Sequence, residues 1–260
     1  MVTVKERQND GDDDGNGNED VPAILYPPDV ADIMRHVQPE VYRRAQRSFV
    51  RQFGMDPRDA ADAAFRDCAH YLFCEWLTYD VKLEGADDLT PFDFVALSAY
   101  GRGLLSDRHF ADMQEISESN FASWFWMNRV SAAERTVAIE DLADGTAYSI
   151  QAPDIAARYD GAPGGSMVAR LAKVRDEWLF VSPPPAVIRD PHDEQERERV
   201  ATLAQLHQSD FLGLLAQVLP YDPTYLQEVR RARSFNRAQR WARDRARGRS
   251  RANARTGQPT

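Results

Sequence analysis

The sequence predicts an α+β protein: a helical N-terminal half, a small five-stranded SH3-like or barrel-like β module, and C-terminal helices that run into a basic tail. Three observations predict it. Between residues 39 and 119 apolar residues recur at three- and four-residue spacing behind proline-marked starts, the pattern of helices with one buried stripe. From Phe121 the period drops to two over five short segments, which is strand alternation. Helical spacing returns after the prolines of SPPPAVIRDP. The implied boundaries are 1–20, an acidic segment; 21–120, helical; 121–185, the β module; 186–229, C-terminal helices; and 230–260, the arginine-rich tail.

Residues 1–20 are rich in Asp, Asn and Gly with almost nothing to bury, so they are expected to be disordered. A first helix is expected from Pro39 to Phe53, closed by Gly54, with Val41, Tyr42, Ala45, Phe49 and Phe53 on one face. The next begins at Asp56-Pro57, an N-cap followed by proline where its missing N–H costs nothing. Its stripe is Ala61, Phe65, Cys68, Leu72 and Trp76. TPFDFVALSAYG repeats the device, with Thr90 as cap and Pro91 in the first turn. SDRHFADMQEISES follows, capped by Ser106 or Asp107, with Phe110, Met113 and Ile116 inward and His109, Asp107 and Asp112 on the polar face.

The strands are expected in FASWFWMNRVS, ERTVAIEDL, TAYSIQ, SMVARLAKV and EWLFVS, joined by the turns ADG and RD and the loop DGAPGG. Five strands within about sixty residues suit a strongly bent sheet, since curling limits exposed edges. Asp190-Pro191 then opens one helix through Val200, Leu203, Leu206 and Leu214 to Pro220, and Asp222-Pro223 a last one carrying Leu226 and Val229.

The order of EWLTYDVKLEGADDLTPFDFV, SWFWMNRV, VAIEDLADGTAYSI, GGSMVARLAKV and EWLFVSPP, from Trp76 to about Pro185, resembles a group of poorly characterised bacterial proteins. Some of that group carry a SEC-C-type cysteine-rich zinc motif like the one at the tail of the SecA translocation motor. The matching signature is a strand pair around D-L-x-x-G, here Asp141, Leu142 and Gly145. The resemblance implies the architecture. It implies no zinc site, because a SEC-C motif needs clustered cysteines and this chain has two, Cys68 and Cys74.

No catalytic set, metal site or cofactor is read from the residues. His70 and Cys74 stand four apart on one helix face with Asp67 nearby, two convincing ligands where a closed zinc site takes four. The five histidines are scattered, and no serine or cysteine sits in a G-x-S-x-G setting. YGRGLLSD and DGAPGGS lack the spacing of a phosphate loop or dinucleotide fold. Two cysteines rule out a disulfide framework. The N-terminus lacks the apolar core of a signal peptide and no run of eighteen apolar residues occurs. A cytoplasmic protein with no membrane partner is therefore expected.

Two features point to binding. In SWFWMNRV alternation places Trp124 and Trp126 opposite Phe125 and Met127; one row is either a platform for stacking bases or a peptide, or part of the core. Residues 230–255 hold eleven arginines, no lysine and one acid, Asp244. The run thus carries +10, and the remainder −19, of a net −9. Arg230, Arg231, Arg233, Arg237, Arg240, Arg243 and Arg247, with Trp241 interleaved, are candidate binding residues. A guanidinium pairs phosphate or carboxylate through two donors and stacks on bases. RNA or the ribosome is one expected partner and an acidic protein the alternative; a solvated tail without a partner is the third reading.

Overall fold

The structure is a computed structural model that describes residues 4–5, 21–53, 63–85, 89–161, 165–184, 186–188, 194–207 and 210–218. Its first half is helical: α1 (Pro27–Val37), α2 (Pro39–Phe53), α3 (Ala63–Tyr79), α4 (Pro91–Gly101) and α5 (Asp107–Ser119). Val4–Lys5 (β1), inside the stretch 1–20 expected to be disordered, pairs antiparallel with Ile24–Leu25 (β2).

Helix α1 was not expected. Pro27 and Pro28 occupy its first turn, where a missing N–H is harmless, and Pro27, Val30, Ala31 and Met34 bury one face against α2, α3 and α4. Helix α2 has the expected bounds. Helix α3 carries buried residues on nearly every side, from Ala69 and Leu72 through Phe73, Cys74, Leu77 and Tyr79, because α1, α2 and α4 surround it. Its expected single stripe is therefore too narrow: Leu72 is buried, Trp76 half-buried. The Asp56-Pro57 start lies outside the described residues.

Both later helices start as expected. The Thr90 hydroxyl accepts from Asp93 N–H while the Asp93 carboxylate accepts from Thr90 N–H, a reciprocal capping box. Ser106 caps α5 by accepting from His109 N–H. Met113 and Ile116 point inward, but His109 and Asp112 are buried too. The polar-face expectation for this pair fails because Asp112 has a charged partner to face: Arg175 donates to it through Nε and Nη2, each at 2.7 Å.

All five expected strands form: β3 (Phe121–Ser131), β4 (Thr136–Asp141), β5 (Ala147–Gln151), β6 (Ser166–Val174) and β7 (Glu177–Phe180), antiparallel in the order β5-β4-β3-β6-β7. A sixth, β8 (Ala186–Ile188), pairs with the first half of β6 while β7 pairs with the second. Arg175 and Asp176, at φ 52° and 65°, make the two-residue hairpin turn between β6 and β7, whose twist suits antiparallel strands. A register shift between Met127 and Arg129 bends β3. The sheet curls until the edge strands β5 and β7 meet through Tyr148 and Trp178, ring centres 5.0 Å apart. It is a half-barrel.

Each face of the sheet has its own core. The concave side holds Phe125, Met127, Val137, Ile139, Ile150, Met167 and Leu171, and is plugged by a short helix, α6 (Pro153–Tyr159), through Ala156 and Tyr159. That helix lies between the strand TAYSIQ and the loop DGAPGG, where no element was expected. Ala122, Trp124, Val168, Ala172 and Val174 on the other face belong to the larger core shared with the helices. Two helices, α7 (Glu194–Leu206) and α8 (Phe211–Val218), pack against that face through Val200, Ala204, Phe211 and Leu215. They replace the one long helix expected here. Asp210 ends the continuity by accepting from Gly213 N–H at 3.0 Å. A Cβ at Gly213 would stand 2.2 Å from the Asp210 carboxylate. The expected helix at Asp222-Pro223 lies outside the described residues.

Candidate functional site

A cleft of about 570 Å³ opens between the helical layer and the start of β3, a size within the range of ligand pockets. The turn after α3 brings Asp80 to its wall, α4 brings Asp93, α5 brings Ser117 and Asn120, and β6 supplies Arg170 at its floor. Arg170 is 2% exposed. Alternation along β6 puts Met167, Ala169 and Leu171 into the concave core, so Arg170 projects with Val168 and Ala172 toward the helices.

A buried guanidinium must be compensated or the fold loses several kcal/mol, and Arg170 is compensated from three directions. Nη2 donates to Asp80 Oδ2 at 2.5 Å and Nη1 to Asn120 Oδ1 at 2.9 Å. The planar group lies over two rings, 4.9 Å from the centre of Tyr79 and 5.2 Å from that of Phe211. On the side away from solvent, Nε stands 3.5 Å from Glu75 Oε1, an ion pair by distance that lacks hydrogen-bond geometry.

Glu75 is fully buried. Burial pushes its carboxyl up to about 7, with Arg170 and the Ser182 hydroxyl pulling the other way and Asp80 adding to the rise. Burial likewise raises Asp80, against the pull of Arg170, and holds the Tyr71 and Tyr79 phenols neutral. Tyr71 Oη, Tyr79 Oη, Ser182 Oγ, Arg170 Nε and both Glu75 oxygens are sealed from solvent without a protein partner in hydrogen-bonding geometry. Of these residues, Tyr79 and Arg170 line the cleft. Two of the three carboxylates lining the cleft are committed: Asp93 to the Thr90 cap and to the Ser117 hydroxyl, Asp80 to Arg170; Glu118 is the third.

The residues singled out in the sequence lie elsewhere. Trp124 is 2% exposed, in the core beneath the helices. It offers no face to a base or peptide, which corrects its reading as a stacking platform. Trp126 is half-buried on the same row, with the Arg197 guanidinium 5.8 Å over its ring and Arg197 donating to Glu140 at 2.5 Å. The C-terminal helices supply this cover, so the row of tryptophans is turned inward by tertiary packing. Trp178 closes the mouth of the half-barrel against Phe121 and Tyr148. Arg230, Arg231, Arg233, Arg237, Arg240, Trp241, Arg243 and Arg247 lie outside the described residues.

His70 Nε2 and Cys74 Sγ are 3.6 Å apart. Burial raises the Cys74 thiol, which keeps it protonated, and no group of three or more His, Cys, Asp or Glu able to hold a metal occurs among the described residues. Neither His70 nor His109 lines the cleft. No helix among the described residues is long and apolar enough to cross a membrane.

Sequence reasoning passed over Asp80 and Arg170 and did not connect Glu75 with either. The available signal was a single arginine within the apolar run SMVARLAKV and a single acid within YLFCEWL, since charged residues are almost never fully buried unless paired. Comparison with known protein families, with characterised proteins and with solved structures finds no match.

Proposed function

We propose that this is a non-enzymatic binding protein that engages RNA, alone or within a ribonucleoprotein, through the arginine run at 230–255. The observation that carries the reading is the separation of charge, +10 in that run against −19 in the rest of the chain. Phosphate binding by such a run releases counterions and is steeply salt-dependent, and arginine-rich segments that order on RNA are a known mode of recognition. The commitment of Asp93 to a helix cap and of Asp80 to Arg170, two of the three cleft carboxylates, supports a binding body over a catalytic one. Two cysteines, too few for a disulfide framework, favour a cytoplasmic setting. The resemblance to SEC-C-related proteins, read from the sequence, would bear on architecture alone. Affinity for a single-stranded RNA, measured across salt for the full chain and for residues 1–229, tests the proposal. Equal affinity of the two, or a flat salt dependence, rejects it.

A second reading, a protein–protein adaptor, is favoured by one patch. Leu97, Tyr100 and Leu104 are 47%, 38% and 60% exposed beside the cleft, and Tyr100 stacks on Phe110 with ring centres 4.2 Å apart. Exposed apolar groups clustered at the rim of a recess mark docking sites more often than isolated ones do. Recovery of one protein with the bait despite nuclease treatment, and its loss on joint L97D and L104D substitution, would favour this reading over the first.

A further inference from the structure

Arg170 has two carboxylates within reach and bonds one of them. Asp80, a quarter exposed at the cleft, takes the short hydrogen bond, while Glu75, wholly buried, stands at 3.5 Å with neither oxygen hydrogen-bonded. One guanidinium neutralises one of these acids; the second charge would be left uncompensated in the core, so the cheaper state holds a proton on Glu75. The groups facing the pair do not change this. Tyr71 and Tyr79 on α3, Tyr26 ahead of α1 and Ser182 after β7 bring neutral hydroxyls, Asp210 ahead of α8 brings another negative charge near Asp80, and Lys82 brings an exposed positive one.

Phe211 is the first residue of α8, and its ring rests on this guanidinium. A shift of under about 1 Å would bring Nε to hydrogen-bonding distance of Glu75. We propose that Glu75, Arg170 and Asp80 form a proton-operated latch on α8: with Glu75 protonated, Arg170 sits on Asp80 and holds Phe211; with Glu75 ionised, Arg170 is drawn inward and α8 is released. The ring contact lets a proton bound within the core govern an element at the surface of the sheet. Burial pushes the Glu75 carboxyl up to about 7, which sets the working range near neutrality. The latch is independent of the RNA reading.

Amide hydrogen exchange of the full chain at pH 6 and pH 8, corrected for intrinsic exchange, tests it, with α8 read against the core helix α4. The expected result is an opening of α8 at lower cost than α4, with α8 protection falling about tenfold between the two pH values. In Glu75→Gln, which imitates the protonated acid, α8 protection should be independent of pH. The latch is overturned if α8 protection in the wild type does not fall, if α8 and α4 are equally protected at both pH values, or if Glu75→Gln retains the fall. The wild-type comparison decides even where the variant folds poorly.

Discussion

The guanidinium of Arg170 on β6 lies 5.2 Å from the ring centre of Phe211, the first residue of α8. This contact joins the sheet to the last described helix, and the same guanidinium joins the sheet to α3 through Asp80. Three layers thus meet on one side chain.

Replacing Arg170 by alanine leaves Asp80 without its ion pair, Glu75 without the cation beside it, and the Tyr79 and Phe211 rings without the guanidinium over them. Breaking a buried ion pair from one side costs about 3–5 kcal/mol. Urea unfolding at pH 7 should show that loss. Arg170→Lys should recover part of it only, because an ammonium cannot stack as a plane or reach Asp80 and Asn120 together.

Stability should fall as pH rises toward neutrality. The Glu75 carboxyl ordinarily loses its proton near 4.5 but does so at about 7 in the fold, so between these values the native state binds more protons than the unfolded one. Its contribution is greatest below 4.5, declines up to about 7 and is constant above. Asp80, also raised, acts in the same direction. Unfolding free energies from urea titrations at pH 5 and pH 8 should differ by roughly 2–3 kcal/mol, and Glu75→Gln should remove most of the difference. A midpoint that rises with pH over this interval would contradict the placement of Glu75.

The two tryptophans of β3 should respond differently. Trp124→Ala empties a fully enclosed site and should cost about 3–5 kcal/mol. Trp126→Ala, at a half-buried position under Arg197, should cost about 1–2 kcal/mol. Chemical denaturation of each variant distinguishes them, and comparable losses would contradict their different burial.

Thr90→Ala removes the hydroxyl that accepts from Asp93 N–H, half of the α4 capping box. The expected cost is about 1 kcal/mol, read as a lowered melting temperature. Asp93 also accepts from Thr90 N–H and from Ser117, so Asp93→Ala should cost more than Thr90→Ala.

Much of the fold was legible because its signals are local. Thr90-Pro91 and Ser106 announce helix starts through side-chain-to-backbone bonds three residues long, and ERTVAIEDL shows alternation within one strand. What escaped was short or depended on neighbours. Helix α6 and strand β8 have seven and three residues, too few to establish a period. The separation of α7 from α8 turns on Asp210 and Gly213, an ordinary pair until the two helices must lie on β3. The candidate site was the least legible part. Asp80 and Arg170 are 90 positions apart, and nothing within either segment names the other.

By itself the sequence determined the class of the fold, the five principal strands, three of the helix starts and the division of charge between an acidic body and an arginine-rich end. Periodicity, capping and net charge are properties of contiguous residues. Only the tertiary structure decided that the Trp124 row faces inward, that His109 and Asp112 are buried, and that Glu75, Asp80, Arg170 and Phe211 converge. Whether a polar or aromatic side chain is core, surface or site depends on what the chain brings against it. For Arg170 those partners come from α3, the end of α5 and α8, which only folding gathers onto one strand.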